Sequence, residues 1–256
     1  MHLLKKEMMQ KRKILIANWK TYIQSFSEID IKIGEIKQNL DFYNIDLVLC
    51  PSFIYLQRII SKLESQHIFV GSQNLSSSET NANTGEILAA MLADLGCKYS
   101  ILGHSEIRER YTESSDIVAI KANIALKRNI TPIICVGEAL ENRTKSDYIK
   151  FLIDQTIESL PHFGDIEKNN IIIAYEPIWS IGTGKIPSPN QIEEVLSALK
   201  SIPGLKFAKF VYGGSVNEQN ISEICEVKSL DGVLVGGAST DITKLNLISK
   251  ALSNFT

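Results

Sequence analysis

Short, continuously apolar runs rich in β-branched residues recur along the chain. None of them alternates apolar with polar positions, so each predicts a strand that is buried on both faces, as in a parallel sheet. A half-exposed strand would alternate instead. The eight runs lie at residues 13–17, 46–50, 67–71, 99–103, 131–135, 170–175, 208–212 and 232–235.

Between these runs the apolar positions follow a helical spacing. Ser52 is a predicted helix start, and Thr84 is a second one because it directly precedes a helical pattern. Gly96 is the predicted end of that helix, since glycine commonly terminates helices. The clearest helical stretches lie at residues 26–40, 85–96, 114–129, 188–200 and 243–252.

The alternation of eight strands with helices predicts a single (β/α)8 barrel with a parallel eight-stranded core. We expect the catalytic barrel at residues 13–256 and a short tail at residues 1–12. A doubly wound open sheet is the alternative, but it would carry a glycine-rich dinucleotide turn after an early strand, and the sequence has none. Gly182 and Gly184 do not belong to a P-loop, because Ile186 stands where that motif requires Ser or Thr.

Composition narrows the class of partner. The 256 residues include 27 basic and 29 acidic side chains, and a net charge of -2 does not favour nucleic acid or a charged membrane surface. No apolar run approaches the length of about 18 residues that spans a bilayer. The four cysteines form no C-x-x-C pair, which is typical of reduced thiols in a cytoplasmic protein rather than of disulfides or a zinc site.

Polar residues follow most of the predicted strands directly. In a parallel barrel the active site lies at the carboxyl ends of the strands, so these residues should meet at one mouth. We therefore expect a cation, an imidazole and a carboxylate beside two glycine-rich turns. The residues in question are Asn18, Trp19, Lys20, His104, Ser105, Glu106, Gly137, Glu138 and Glu176, with the turns at residues 213–215 and 236–239.

Three of these side chains have the properties that proton transfer requires. Glu176 precedes Pro177 and Trp179, whose bulk favours desolvation, a raised pKa and action as a base. His104 lies at a predicted helix start, where the helix dipole favours the neutral ring and its hydrogen-bond donor. Lys20 supplies positive charge for an oxyanion. Each residue by itself has another interpretation: a single histidine is more often structural, and a lysine after a strand is usually a solvated surface residue. The combination of the three favours catalysis.

The two glycine-rich turns favour an anion site. Successive backbone N–H groups without side chains can approach a phosphate, and the loops after the seventh and eighth strands are the usual phosphate site of this fold. The alternative for each turn is a tight turn without a ligand.

Several longer segments resemble the signature segments of the triosephosphate isomerase family, in the same order and at the same spacing. They are NWK at 18–20, ILGHSE at 101–106, CVGE at 135–138 with Glu141 and Arg143 after it, YEPIWSIGTGK at 175–185, YGGSV at 212–216 and DGVLVGGAS at 231–239. The resemblance implies interconversion of dihydroxyacetone phosphate and glyceraldehyde 3-phosphate through an enediol(ate), with no cofactor and no metal.

The resemblance also implies residue roles. Glu176 would shuttle the proton between two carbons, while His104 works on the two oxygens. Lys20 and Asn18 would hold substrate and stabilise charge, and Glu106 is the carboxylate beside the histidine. Backbone N–H groups would grip the phosphate at Gly182, Ser215, Gly236 and Gly237.

Residues 177–185 resemble the closing loop of that family. Closure would exclude water and protect an enediolate that could otherwise lose phosphate. Cys135 is interpreted as packing beside the base, and Glu138 with Arg143 as a structural ion pair. The first hinge would be Pro177, Ile178 and Trp179, the tip and far hinge Gly182, Thr183, Gly184 and Lys185, and the latch Tyr212 and Ser215.

The sequence departs from the family pattern in segments that usually form a dimer. We expect a homodimer through the segment around Thr84, with an interface enlarged by the apolar Tyr22 and Ile23 and weakened by loss of an arginine at Ile107. The departures are Thr21, Tyr22, Ile23, Asn81, Asn83 and Ile107.

Two other functions stay open at this point. One is an isomerase of a longer sugar phosphate, such as a tetrulose phosphate, whose extra carbon would extend toward Tyr22. The other is a barrel that binds phosphate ligands without catalysis. The second alternative predicts loss of Lys20, His104 or Glu176, and all three are present.

Overall fold

A computed structural model of the chain describes residues 12–39, 45–63, 65–161 and 171–255. The predicted tail at residues 1–12 therefore lies outside the described residues, apart from Arg12, and so does the first residue of the apolar run at 170–175. Among the described helices, none combines the length and apolar character that crossing a membrane requires.

The strands close into one parallel barrel in chain order. Each strand pairs with its neighbour in sequence, and β8 returns to β1 with Ile14 opposite Gly232. The predicted barrel is confirmed and the open sheet is wrong. The strands are β1 (Lys13–Asn18), β2 (Ile45–Cys50), β3 (Ile68–Ser72), β4 (Tyr99–Leu102), β5 (Thr131–Val136), β6 (Ile172–Tyr175), β7 (Lys209–Tyr212) and β8 (Gly232–Val235).

Helices connect the strands on the outside of the barrel. Short 3₁₀ turns at Phe53–Tyr55, Ile178–Ser180, Leu205–Phe207 and Gly237–Thr240 supplement them. The helices are α1 (Phe26–Asn39), α2 (Leu56–Lys62), α3 (Ala89–Leu95), α4 (Ser105–Tyr111), α5 (Ser115–Lys127), α6 (Leu140–Arg143), α7 (Tyr148–Ser159), α8 (Pro189–Lys200), α9 (Ile221–Ile224) and α10 (Ile242–Asn254).

The apolar runs are continuous because the strands separate two cores. In β1, Ile14 and Ile16 join a cluster made of strand residues only, which fills the barrel. Leu15 and Ala17 point the other way and join the cluster shared with the helices. Alternate residues of a strand face opposite sides, so both faces need apolar side chains here.

One predicted helix start is wrong. Thr84 does not begin a helix, because α3 starts only at Ala89 and Leu88 before it is extended. Gly85 has a left-handed backbone, with φ of 86°, which a helix cannot accommodate. Gly96 does end α3, with φ of 98° and its N–H bonded to the last turn.

Candidate active site

A cavity of about 320 Å³ opens at the carboxyl ends of the strands. The segments after β1, β4 and β6 contribute Lys20, His104 and Glu176 to its wall. The phosphate residues predicted after β7 and β8 line the same cavity, and so does the predicted lid. Its lining includes Lys20, Tyr22, His104, Glu176, Ile181, Gly182, Gly184, Gly213, Ser215, Leu234, Gly236 and Gly237.

Glu176 is a buried carboxylate at the end of β6. Its residue exposure is 2%, and its backbone N–H donates to the carbonyl of Val136 at 2.8 Å. Burial raises the pKa of Glu176 above the usual glutamate range, although His104, the Cys135 thiol and the Lys20 charge oppose the rise, in that order. Among the described residues, Oε2 has no hydrogen-bond partner. Glu176 therefore has the raised pKa that a base needs.

His104 presents a neutral ring to this carboxylate. It is the N-cap of α4, and its Nδ1 accepts the backbone N–H of Glu106 at 3.2 Å. A nitrogen that accepts a hydrogen bond carries no proton, so the ring proton is on Nε2. Nε2 lies 3.7 Å from Oε2 of Glu176. The imidazole can therefore donate a hydrogen bond into the cavity.

Lys20 has a left-handed backbone, with φ of 44°. This conformation costs a non-glycine residue about 1 kcal/mol. Three hydrogen bonds hold it: Lys20 N–H donates to Oδ1 of Asn18 at 3.1 Å, and its carbonyl accepts from Ser52 Oγ at 2.9 Å and Gln73 Nε2 at 2.8 Å. Asn18 thus contacts the Lys20 backbone, which supports a positioning role.

Glu106 pairs with the lysine side chain. Its Oε1 lies 2.7 Å from Nζ of Lys20. Burial acts to raise the pKa of Glu106, but the hydrogen bond and charge of Lys20 outweigh it, so the pKa is lowered. Glu106 therefore stays ionised and, through its backbone N–H, also fixes the tautomer of His104.

The predicted phosphate turns both line the cavity, and their backbone N–H groups differ in the partners they have. Gly237 begins a 3₁₀ turn, and the first N–H groups of such a turn have no partner within it. Ser215 has φ of 48°, and its Oγ accepts the N–H of Gly182 at 3.1 Å. A phosphate gripped by Gly182 therefore has to replace the Ser215 hydroxyl on that donor, so this part of the phosphate prediction requires an exchange of partners.

The predicted first hinge is anchored to Glu138. Its Oε1 accepts from Trp179 Nε1 at 3.0 Å and from the Tyr175 hydroxyl at 3.1 Å, and it lies 3.5 Å from Arg143. The predicted ion pair between Glu138 and Arg143 is confirmed. Glu138 also holds the indole ring of Trp179 in place.

Cys135 behaves as the predicted packing residue. Burial raises the pKa of its thiol well above the usual range, and the adjacent Glu176 carboxylate raises it further. A thiol that stays protonated is a poor nucleophile. All four cysteines are buried free thiols. No group of three or more His, Cys, Asp or Glu side chains in the described part of the chain is placed to hold a metal ion.

One of the two residues expected to enlarge a subunit interface lies inside its own chain. Ile23 is 7% exposed and packs in the core shared by strands and helices, so the expectation that it offers apolar area to a partner is wrong. Tyr22 lines the active-site cavity, with its ring about 3.5 Å from the space that a side chain on Gly237 would occupy.

Sequence reasoning missed Gln73 and Ser180, and it named Ser52 only as a helix start. Ser52 and Gln73 follow β2 and β3 closely, so the rule that located Lys20 and His104 would have found both. Ser180 lies inside the lid motif, and its contacts with residues 185 and 212 carry no local signal.

Comparisons with known proteins agree with the geometry. The family model described as Triosephosphate isomerase matches residues 13–252. The chain is 38% identical to the triosephosphate isomerase of Rhodopirellula baltica, over 94% of this chain and 98% of that protein. It is 38% identical to the one of Nitrosococcus oceani, over 93% and 98%, and 35% identical to the one of Endomicrobium trichonymphae, over 94% and 100%. The chain belongs to the triosephosphate isomerase family.

Proposed function

We propose that this protein interconverts dihydroxyacetone phosphate and D-glyceraldehyde 3-phosphate by proton transfer through an enediol(ate). The observation that carries the proposal is the meeting of Lys20, a neutral His104 and a buried Glu176 in one cavity of about 320 Å³. A base, a neutral hydrogen-bond donor and a fixed cation are what enolisation beside a carbonyl requires.

Glu176 starts the reaction by removing a proton from the hydroxymethyl carbon of dihydroxyacetone phosphate. The electron pair of the broken C–H bond forms the carbon–carbon double bond of the enediolate, and the carbonyl oxygen takes the negative charge. Glu176 then returns the proton to the neighbouring carbon, which gives the aldehyde. Because burial raises its pKa, the carboxylate is a stronger base than a glutamate in water.

His104 and Lys20 stabilise the charge that this step creates. Nε2–H of His104 donates to the developing oxyanion and moves a proton between the two oxygens. Nζ of Lys20 adds positive charge, and its pairing with Glu106 at 2.7 Å fixes its position before substrate arrives. Preorganised groups of this kind need little rearrangement in the transition state.

The longer sugar phosphate is less compatible with the site. Its extra carbon needed room toward Tyr22, but Tyr22 stands beside Gly237, at the predicted phosphate end of the cavity. The non-catalytic alternative has no support in the site either, since Lys20, His104 and Glu176 share one cavity.

A coupled assay of aldose–ketose conversion tests the proposal. We expect turnover of glyceraldehyde 3-phosphate, much slower turnover of a tetrulose phosphate, and a loss of several powers of ten in Glu176→Gln. Glu226→Gln removes an exposed carboxylate and serves as the matched control. Normal turnover by Glu176→Gln would refute the assignment of the base, and preference for the tetrulose phosphate would refute the triose substrate.

We propose a homodimer formed through the segment around Thr84. A cavity of about 410 Å³ lies beside this segment and is lined by Ile107, Tyr111 and Glu113. Tyr111 is 72% exposed, and Oε2 of Glu113 is buried without a partner among the residues described. A second copy would cover the aromatic ring and supply a donor to the carboxylate.

Sedimentation at several protein concentrations tests the dimer. The dimer should dissociate on dilution, because Ile107 provides no ion pair and Ile23 packs in the core of its own chain instead of against a partner. Ile107→Arg should strengthen association, and Tyr111→Ser should weaken it. A monomer at every concentration would contradict the dimer, and a tight dimer at the lowest concentration would contradict the weakened contact.

We also propose a cytoplasmic location. The four cysteines are all unpaired, buried thiols, as expected where the environment is reducing. Cell fractionation with an antibody against the chain tests this, and recovery outside the cytoplasmic fraction would contradict it.

A further inference from the structure

Ser180 is a buried residue of a lid whose tip is exposed. Its side chain has 0% exposure, whereas Gly182, Thr183, Gly184 and Lys185 are all exposed. A buried hydroxyl requires hydrogen-bond partners, and those of Ser180 come from the far end of the lid and from the barrel.

The hydroxyl of Ser180 joins the two ends of the lid. It donates to the carbonyl of Lys185 at 2.5 Å, so the 3₁₀ turn Ile178–Ser180 is tied directly to the far hinge. It also lies 3.5 Å from the hydroxyl of Tyr212, the last residue of β7. One side chain thus connects both hinges to the barrel.

The carbonyl of Ser180 makes a second connection. It accepts from Oγ of Ser215 at 2.5 Å and from Oγ1 of Thr183 at 3.1 Å. Ser215 Oγ in turn accepts the N–H of Gly182. The lid is therefore fastened to the turn that lines the cavity by a network centred on Ser180.

Packing against the barrel leaves this network little freedom. A Cβ added to Gly214 would lie 2.3 Å from the Tyr212 hydroxyl and 2.8 Å from Oγ of Ser180. Both hydroxyls are thus held against the glycine backbone. The close fit indicates a defined position for the Ser180 hydroxyl beside Tyr212 and Gly214.

We infer that Ser180 is a positioning residue whose hydroxyl ties the two ends of the lid together, so that the lid closes over the enediolate as one rigid segment. The inference rests on the proposed function, since only a reactive intermediate needs this protection. In an open site, the enediolate electrons form a new double bond, the bond between carbon and the phosphate oxygen breaks, and inorganic phosphate leaves. The remaining enol takes up a proton and becomes methylglyoxal. A looser lid therefore increases phosphate loss.

The test compares Ser180→Ala with the parent protein. Dihydroxyacetone phosphate is the substrate, and the readouts are kcat, KM and the inorganic phosphate released per isomerisation. We expect the phosphate ratio to rise about tenfold, as losing one hydrogen bond from the closed state predicts, and KM to rise as well. Ser201→Ala removes a hydroxyl–carbonyl bond at the end of α8 and should change neither quantity.

Ser180→Cys guards against misfolding of the alanine variant. Its thiol is a weaker donor of similar size, so its phosphate ratio should lie between those of the parent and Ser180→Ala. An unchanged ratio and KM in a folded variant, with an active parent, would overturn the inference. Failure of the parent to isomerise dihydroxyacetone phosphate would instead refute the proposed function.

Discussion

Gly213→Ala tests the position of the base without removing it. Gly213 follows β7, and its N–H donates to the carbonyl of Tyr175 at 2.9 Å. Its φ lies outside the left-handed region, so alanine brings no backbone strain there. The added Cβ would lie 2.8 Å from Cγ and 2.9 Å from Oε1 of Glu176. The perturbation therefore acts on the carboxylate.

The size of the effect follows from these distances. An ordinary contact begins near 3.4 Å, so the Glu176 side chain has to retreat by about 0.6 Å. Its backbone cannot yield, because its carbonyl packs so closely on Gly137 that a Cβ there would lie 1.9 Å away. Misplacing a reacting group by about 1 Å costs about 100-fold in rate. We expect kcat/KM to fall between about 10-fold and 100-fold.

Initial rates in the coupled assay measure this change. Overpacking should also lower the free energy of unfolding by about 1–3 kcal/mol, so the unfolding free energy must be measured alongside. Gly34→Ala in α1 is the control, because nothing lies within 4 Å of its added Cβ. It should keep full activity and gain about 1 kcal/mol from helix propensity. Full activity of folded Gly213→Ala would refute either the position or the role of Glu176.

Three further substitutions test other parts of the site. Glu176→Gln should have a higher free energy of unfolding in urea than the parent at pH 7. The raised pKa means that ionising Glu176 costs stability above about pH 4.3, where a glutamate in the unfolded chain ionises, and glutamine avoids this cost. The difference should vanish below about pH 4. Gln73→Leu removes a donor from the Lys20 carbonyl, so kcat/KM should fall about tenfold and the thermal midpoint should drop. Glu138→Ala removes the acceptor of one buried donor, the Tyr175 hydroxyl, and of two partly buried ones, Trp179 and Arg143. It should cost about 3 kcal/mol in urea unfolding and change the tryptophan fluorescence; an unchanged midpoint would contradict the anchoring role.

The sequence by itself determined the strand order and the side of the barrel that carries the chemistry. Continuous apolar runs are a local property, and the barrel follows from their number and alternation with helices. The residues that follow each strand then fall at one mouth, so the sequence alone groups Lys20, His104 and Glu176. Gly96 was predictable as well, because a helix end depends on its own backbone.

Only the tertiary structure decided how these groups are held. The pairing of Glu106 with Lys20 joins residues 86 positions apart, and the Ser180 network depends on β6 and β7 lying side by side. The same physics buried Ile23, although its neighbours in sequence are exposed. Local sequence patterns do not predict such contacts, because the contacts depend on which distant surfaces the closed barrel brings together.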